Sequence, residues 1–506
     1  MVRTLCTVFI LTLLLGLPIA CGDRQSGTDR GEQLARTYCS GCHQFPEPDR
    51  LSRRIWHQEV LPLMGAFLGV PGSMVLDPSI TDNYPDRPVL SSEEWKAIQQ
   101  WYLTQAPDTL LSPAGEREEI TVGLKHFTTH LPEERYHPPM TTLVRIDTAR
   151  RRIVFADLKE NDHHLSFLAA DGRLLSRSEI GRPVSDIAFV ADSIYLTALG
   201  DLRASDEAWG ALELLSVGAE ARATIVIEHL QRPVQSLRHD VDGDGRLDWI
   251  IAEFGKYSGQ LSWFGERDGQ WVRHPIVPRP GAVHMELTDF DGDGRQDLMV
   301  AFGQGDERIS VFLQEGQGFL RERRLIEFPP SHGTVGFQLA DFDGDGLQDI
   351  LYTNGDNADY PRPDLKPYHG YTIYLRETGD TFRQAYRFPI HGAYGARVAD
   401  FDLDGDLDFA TVAFYPDFSR EPRESFIYFE CTSGVGEELT FVPFTLTEFR
   451  EGRFMVIDSG DVDGDGDEDI VLGSYVDFPV DNDRHDLQQR WLAGGASVVL
   501  LENTTH

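Results

Sequence analysis

Five copies of one acidic motif limit what this chain can fold into. They read Asp240-Val-Asp242-Gly-Asp244-Gly-Arg-Leu-Asp248, Asp289-Phe-Asp291-Gly-Asp293-Gly-Arg-Gln-Asp297 and Asp341-Phe-Asp343-Gly-Asp345-Gly-Leu-Gln-Asp349. The fourth is Asp400-Phe-Asp402-Leu-Asp404-Gly-Asp406-Leu-Asp408 and the fifth Asp461-Val-Asp463-Gly-Asp465-Gly-Asp467-Glu-Asp469. Their first aspartates lie 49, 52, 59 and 61 residues apart. Repetition at this period marks a stacked array or a propeller. Each motif runs into a short apolar stretch with strand character: Trp249-Ile-Ile-Ala, Leu298-Met-Val-Ala, Ile350-Leu-Tyr, Phe409-Ala-Thr-Val and Ile470-Val-Leu.

The spacing has a chemical reason. Aspartates at positions 1, 3, 5 and 9 bring carboxylate oxygens toward one point, and glycine at position 6 allows the sharp turn. The carbonyl at position 7 offers a further oxygen. Hard oxygen donors on a flexible loop suit Ca²⁺ better than Mg²⁺ or zinc. Strand, acidic loop, strand resembles the FG-GAP/VCBS repeats of β-propellers. Phe254-Gly255 and Phe302-Gly303 keep the Phe-Gly half, and the Gly-Ala-Pro half is absent. The resemblance implies about five Ca²⁺ ions, one per loop.

Two earlier strand pairs lack the acidic loop: Thr142-Leu-Val-Arg-Ile with Arg152-Ile-Val-Phe-Ala, and Val184-Ser-Asp-Ile-Ala-Phe with Ser193-Ile-Tyr-Leu-Thr. Counting them predicts seven blades over 119–506, with inner strands beginning near 142, 184, 234, 283, 335, 394 and 454. The last blade ends on Ser497-Val-Val-Leu-Leu, one strand short. The strand-like segment Ile120 to Phe127 is expected to complete it and close the ring. In such meanders the acidic loops share one face. The long segments 354–369, 415–424 and 475–490 fall on the other, with Arg232, Arg279, His332, His391, Tyr394 and Arg453. That face is the expected binding surface.

A different chemistry precedes the repeats. Cys39-Ser-Gly-Cys42-His43 follows a helical pattern, and Pro46 and Pro48 come after it. Cys-x-x-Cys-His is the attachment signature of c-type haem. Two thiols three positions apart reach the two vinyl groups, and the next imidazole meets the iron. A thioredoxin-like pair would want a preceding strand, and a zinc site would want further cysteines nearby. Met64 is the first candidate for the distal ligand, with Met74 and His57 as alternatives. Ser91 then starts a helix whose Trp95, Ile98, Trp101 and Tyr102 share one face. Residues 31–108 thus resemble a small all-α class I cytochrome c domain carrying one covalent haem.

Residues 1–21 read as a signal peptide, with an apolar run too short to span a bilayer. The run ends Leu17-Pro18-Ile19-Ala20-Cys21, which resembles a lipobox and makes Cys21 the expected lipidation site. Residues 22–30 read as a polar tether. The expected location is the periplasm or the cell surface, held to the membrane by lipid. A net charge of -36 argues against nucleic acid as a partner. The favoured function is exported electron transfer, the propeller docking a redox partner protein, a surface polymer or a small ligand. Two alternatives remain open: a quinone-dependent dehydrogenase acting on a sugar or alcohol, and an adhesion or scaffold lipoprotein.

Overall fold

The computed structural model describes residues 23–505 except 75–84, 86, 112–116, 159–162, 217–221, 317, 359–363, 435 and 477–483. The expected signal peptide, residues 1–21, with its Cys21 lies outside the described residues, as do parts of the long segments 354–369 and 475–490.

Seven antiparallel sheets form a seven-bladed β-propeller. Their inner strands are Thr141–Asp147, Val184–Val190, Pro233–His239, Ala282–Thr288, Thr334–Ala340, Ala393–Ala399 and Phe454–Gly460. Each starts within a residue of its expected position. The strands after the acidic loops, Asp248–Glu253, Asp297–Phe302, Asp349–Asn354, Asp408–Ala413 and Asp469–Ser474, are buried at every residue. They pack against a neighbouring blade on both faces, which is why they read as unbroken apolar runs. Apolar clusters fill the spaces between neighbouring blades; Val144, Phe155, Val471 and Leu500, for example, join the first and seventh.

A ring of polar bonds around the axis adds direction to this packing. Arg145 pairs with Asp186 at 2.7 Å and with Asp458 at 3.2 Å. Asp186 accepts from the Ser236 amide, Gln235 exchanges two bonds with the Met285 backbone, and Gln338 donates to Glu286. Arg397 reaches Asp458 at 2.9 Å. Blades five and six are joined elsewhere, by the Tyr371 hydroxyl donating to the Val412 carbonyl at 2.6 Å. Burial alone would raise the Asp458 carboxyl, but the guanidinium groups of Arg145 and Arg397 hold it below the ordinary carboxylate range.

Ring closure uses a different segment from the one expected. Phe127–His130 is the outer strand of the seventh blade, antiparallel to Val498–Asn503, with Phe127 opposite Asn503 and His130 opposite Leu500. The earlier part of the expected strand, Thr121–Val122, instead adds a parallel fifth strand to blade six. The reason lies in two side chains. Ile120 is buried in the layer between blades five and six, and Phe127 in the layer between six and seven. The chain must step from one blade to the next between them, and it turns at Gly123, whose φ is +110°.

Residues 23–107 are helical in pieces. The backbone from Asp23, expected to be a tether, belongs to the helix Asp23–Tyr38. A turn at Arg53–Ile55 runs through a π-helical turn, Trp56–Val60, into the helix Leu61–Phe67. The helix Ser92–Gln105 starts on a capping box made by Ser91 and Glu94 and buries Trp95, Ile98, Trp101 and Tyr102 as expected. The first and last helices cross at Gly31. A Cβ there would sit 2.6 Å from the Ala97 carbonyl oxygen and 2.7 Å from the Trp101 Cβ. No helix among the described residues is long and apolar enough to cross a membrane.

Asp157, 1% exposed at the end of a first-blade strand, accepts from the Met140 amide at 3.2 Å and the Thr141 hydroxyl at 3.0 Å. Burial raises its carboxyl to about 7. Its folded pKa therefore exceeds its unfolded one, the native state takes up a proton, and stability falls as pH rises from about 4 to about 7. Asp157→Asn cannot ionise. Its melting temperature relative to wild type should rise by about 2–4 °C or more between about pH 5 and about pH 9. An offset that stays constant with pH would contradict this.

Candidate functional sites: acidic loops and a docked helical segment

In every motif three aspartates offer ligand atoms within 4.8 Å of one another. The first three loops use positions 1, 3 and 9: Asp240, Asp242 and Asp248; Asp289, Asp291 and Asp297; Asp341, Asp343 and Asp349. The last two use positions 1, 3 and 5: Asp400, Asp402 and Asp404; Asp461, Asp463 and Asp465. The loop is closed by its own first residue. Asp240, Asp289, Asp341 and Asp400 each accept from the amide of the glycine five residues on, at 2.8–3.1 Å. In the first two loops the position 5 carboxylates, Asp244 and Asp293, pair instead with Arg246 and Arg295. The donors are all carboxylate oxygens, the chemistry that suits Ca²⁺. Asp240 Oδ1 is buried with no hydrogen-bond partner, an acceptor turned inward that a cation would satisfy.

Position 9 has a second task that the motif alone does not reveal. Asp349 accepts from the Phe342 amide through one oxygen and from the Arg376 amide, on the third strand, through the other. Asp297 does the same with Phe290 and Gln314, and Asp469 with Val462 and Asn503. Asp408 takes Phe401, Cys431 and the Tyr428 hydroxyl. Asp248 accepts from Val241. These residues clamp loop to blade. Burial, and then the neighbouring carboxylates, push Asp349 up to about 6 and Asp408 and Asp469 up to about 7.

The cysteine-histidine motif leaves the end of the first helix, where the Cys39 amide still donates to Ala35. Cys39 lies against the apolar cluster of Trp56, Trp95, Trp101 and Tyr102. Burial pushes its thiol up to about 11, opposed by a hydrogen bond with Tyr102. Cys42 is exposed, and both thiols are free of disulfide. His43 is half-buried; its Nδ1–H donates to the Gln44 carbonyl at 2.7 Å, which leaves Nε2 as the ring nitrogen with a free lone pair in the neutral imidazole. Met64 packs against the same cluster as Cys39, whereas His57 and Met74 are exposed. Cys39 and Met64 share one apolar cluster, while Cys42 is exposed and His43 lies outside that cluster; the donor set of two free thiols, an imidazole and a thioether has the chemistry to hold a covalent haem.

The helical segment sits on the long-loop face, opposite the acidic loops. Arg54 pairs with Asp364 at 3.0 Å, and the Ser52 amide donates to the same carboxylate. The Tyr368 hydroxyl donates to the Arg50 carbonyl at 3.0 Å, and the Arg50 guanidinium lies over the Tyr368 ring. Phe67 meets the edge of Tyr257, in a loop of blade three. The connector is held too: Arg117 pairs with Glu424 and donates to the Pro389 carbonyl. The expected binding face is thus already engaged by the chain itself.

Several residues expected on that face are structural. Arg453 is 1% exposed and donates to the Phe414 carbonyl, against whose ring Tyr394 packs. Arg232 donates to the Gly255 and Leu202 carbonyls, and His391 bonds the Lys366 carbonyl. The segment 475–490 includes the start of a helix, His485–Gly494, whose Trp491 packs on Phe418. Arg279 is exposed. His332 is stacked between Phe328 at 4.9 Å and Tyr368 at 5.4 Å, and burial pulls it down to about 3, so it stays neutral.

The FG-GAP-like repeat family model matches residues 240–300 and 289–352, which include the first three acidic loops. No curated protein matches the chain. Among solved structures, the N-terminal domain of Nup159 is similar over 77% of this chain and 99% of its own, at 10% identity and a TM-score of 0.41. BBS1N in complex with ARL6DN is similar over 75% and 96%, at 8% identity and 0.42. A Lactobacillus plantarum protein is similar over 63% and 86%, at 14% identity and 0.38.

The two tasks of the loop residues can be separated. Asp349→Ala should cost about 2–4 kcal/mol of folding stability even in chelator, since it strands two amides. Asp343→Ala should cost less than about 1 kcal/mol in chelator but reduce the rise in melting temperature that calcium produces. Equal effects of the two variants under both conditions would refute the division.

Proposed function

We propose that this chain is an exported one-electron carrier, with a c-type haem in the helical segment and a calcium-stiffened propeller as its docking platform. The observation that carries the reading is the Cys39-x-x-Cys42-His43 motif at the end of a helix that crosses the Ser92–Gln105 helix over the aromatic core Cys39 shares with Met64. A haem supplies one-electron transfer when bound. Cys39 and Cys42 would anchor it through thioethers, and His43, whose Nδ1 meets the Gln44 carbonyl, and Met64 would be its imidazole and thioether ligands. Trp56, Trp95 and Trp101 exclude water from that core.

The reading includes domain limits: leader 1–21 with lipidation at Cys21, cytochrome-like segment 31–108 and propeller 119–506. The five acidic loops each take one Ca²⁺. The propeller's role is binding and scaffolding, and its first occupant is the helical segment. Exposed surface beyond that seat receives the redox partner.

Protein matured with haem should give a c-type absorption spectrum that survives denaturation, and Cys39→Ala with Cys42→Ala should abolish it. Loss of the pigment on acid extraction of the wild type would refute covalent attachment. Met64→Ala should lower the midpoint potential and change the six-coordinate spectrum; an unaltered spectrum would exclude that ligand. Chelator should lower the propeller's melting temperature and added Ca²⁺ restore it, because an ion bound only by the native state adds to folding stability. A melting curve indifferent to both would remove calcium from the reading.

A further inference from the structure

A cavity of about 400 Å³ lies at the seam between the docked segment and blade five. Arg50 enters it from the helical side and Arg387 from the propeller, while Tyr368, Tyr374 and Pro367 supply apolar wall. Its volume is in the range of small-molecule sites.

The charge pattern is unusual for this chain, whose 82 acidic residues outnumber 46 basic ones. The lining holds two guanidinium groups and one carboxylate, Asp49. Among the described residues neither Arg50 nor Arg387 forms an ion pair with a carboxylate. Arg387 donates to two backbone carbonyls, those of Pro367 and His369, each at 3.2 Å. The Arg50 guanidinium lies over the Tyr368 ring, 5.2 Å from its centroid. Burial lowers the Arg387 pKa, as expected of a cation removed from water without a counter-ion. His332, also in the wall, has a buried Nδ1 with no hydrogen-bond partner. A partly buried cation and an unsatisfied imidazole nitrogen are costly unless something binds them.

We propose that this cavity binds a small organic monocarboxylate, its acid group held by Arg50 and Arg387 and its body packed against Tyr368 and Tyr374. Guanidinium forks match a carboxylate's two oxygens. The single net positive charge of the lining fits a monoanion better than a dianion. Because one arginine comes from each side of the seam, the ligand bridges helical segment and propeller. Its binding therefore strengthens the docking and ties the segment's position to the concentration of an organic acid. None of the haem-motif residues lines the cavity, so this proposal stands or falls separately from the electron-transfer reading.

The test is calorimetric titration of the full chain with benzoate, succinate and inorganic phosphate at low salt. Benzoate should bind saturably and more tightly than the other two. Arg387→Gln and Arg50→Gln should each weaken it about tenfold or more in protein that circular dichroism shows to be folded. Bound benzoate should also slow amide exchange at residues 50–54 in the wild type. Three results would overturn the proposal: no binding of benzoate up to roughly 10 mM, tighter binding of phosphate, or unchanged affinity in either variant. Should either variant fail to fold, the same titration of Arg387→Lys decides. Lysine keeps the charge but loses the fork, and undiminished benzoate affinity there would also overturn the proposal.

Discussion

Ring closure is the constraint on which the rest depends. Each blade buries its faces only against two neighbours, so one open gap would expose both an apolar layer and a strand edge. The gap is closed by four residues, Phe127–His130, laid against the last strand of the chain. This pairing joins residues 370 to 376 positions apart and pins the connector that precedes it. Ile120, Thr121 and Val122 then follow blade six, and Arg117 is tied to Glu424. The helical segment is delivered to the long-loop face by this path.

Polar groups add what apolar layers cannot. The layers between blades are chemically alike, and any could slide by a residue at modest cost. The axial bonds among Arg145, Asp186, Asp458 and Arg397 are directional, and each carboxylate there would be costly without its partner. They hold neighbouring inner strands in register. At the start of the second strand in blades four to seven, the position 9 aspartates do a matching job within the blade, tying the loop to the third strand. The acidic motif is therefore a structural clamp as well as a cluster of cation donors.

The two faces divide the work. One carries the five acidic loops, whose crowded carboxylates repel one another until a proton or a cation intervenes. The other carries longer loops and seats the helical segment through Asp364, Tyr368 and Tyr257. The seam cavity falls where the two bodies meet, beside the stacked rings of Phe328, His332 and Tyr368.

Much of this was legible in residue order. The five acidic motifs together with two earlier strand pairs predicted seven blades and the start of each inner strand to within a residue, because strand, tight turn and strand are local events with local signals. The Ser91 cap and the buried face of Trp95, Ile98, Trp101 and Tyr102 were readable for the same reason. Other features were not. Whether 120–127 or 127–130 closed the ring depended on which inter-blade layers took Ile120 and Phe127. That Arg453 is buried and Tyr394 packs on Phe414, and that Arg50 and Arg387 face one cavity, follows from surfaces meeting across hundreds of residues. Spacing along a chain encodes turns, faces and ligand sets. The contacts between distant segments are decided by shape and by the burial of charge, and only the tertiary structure holds those.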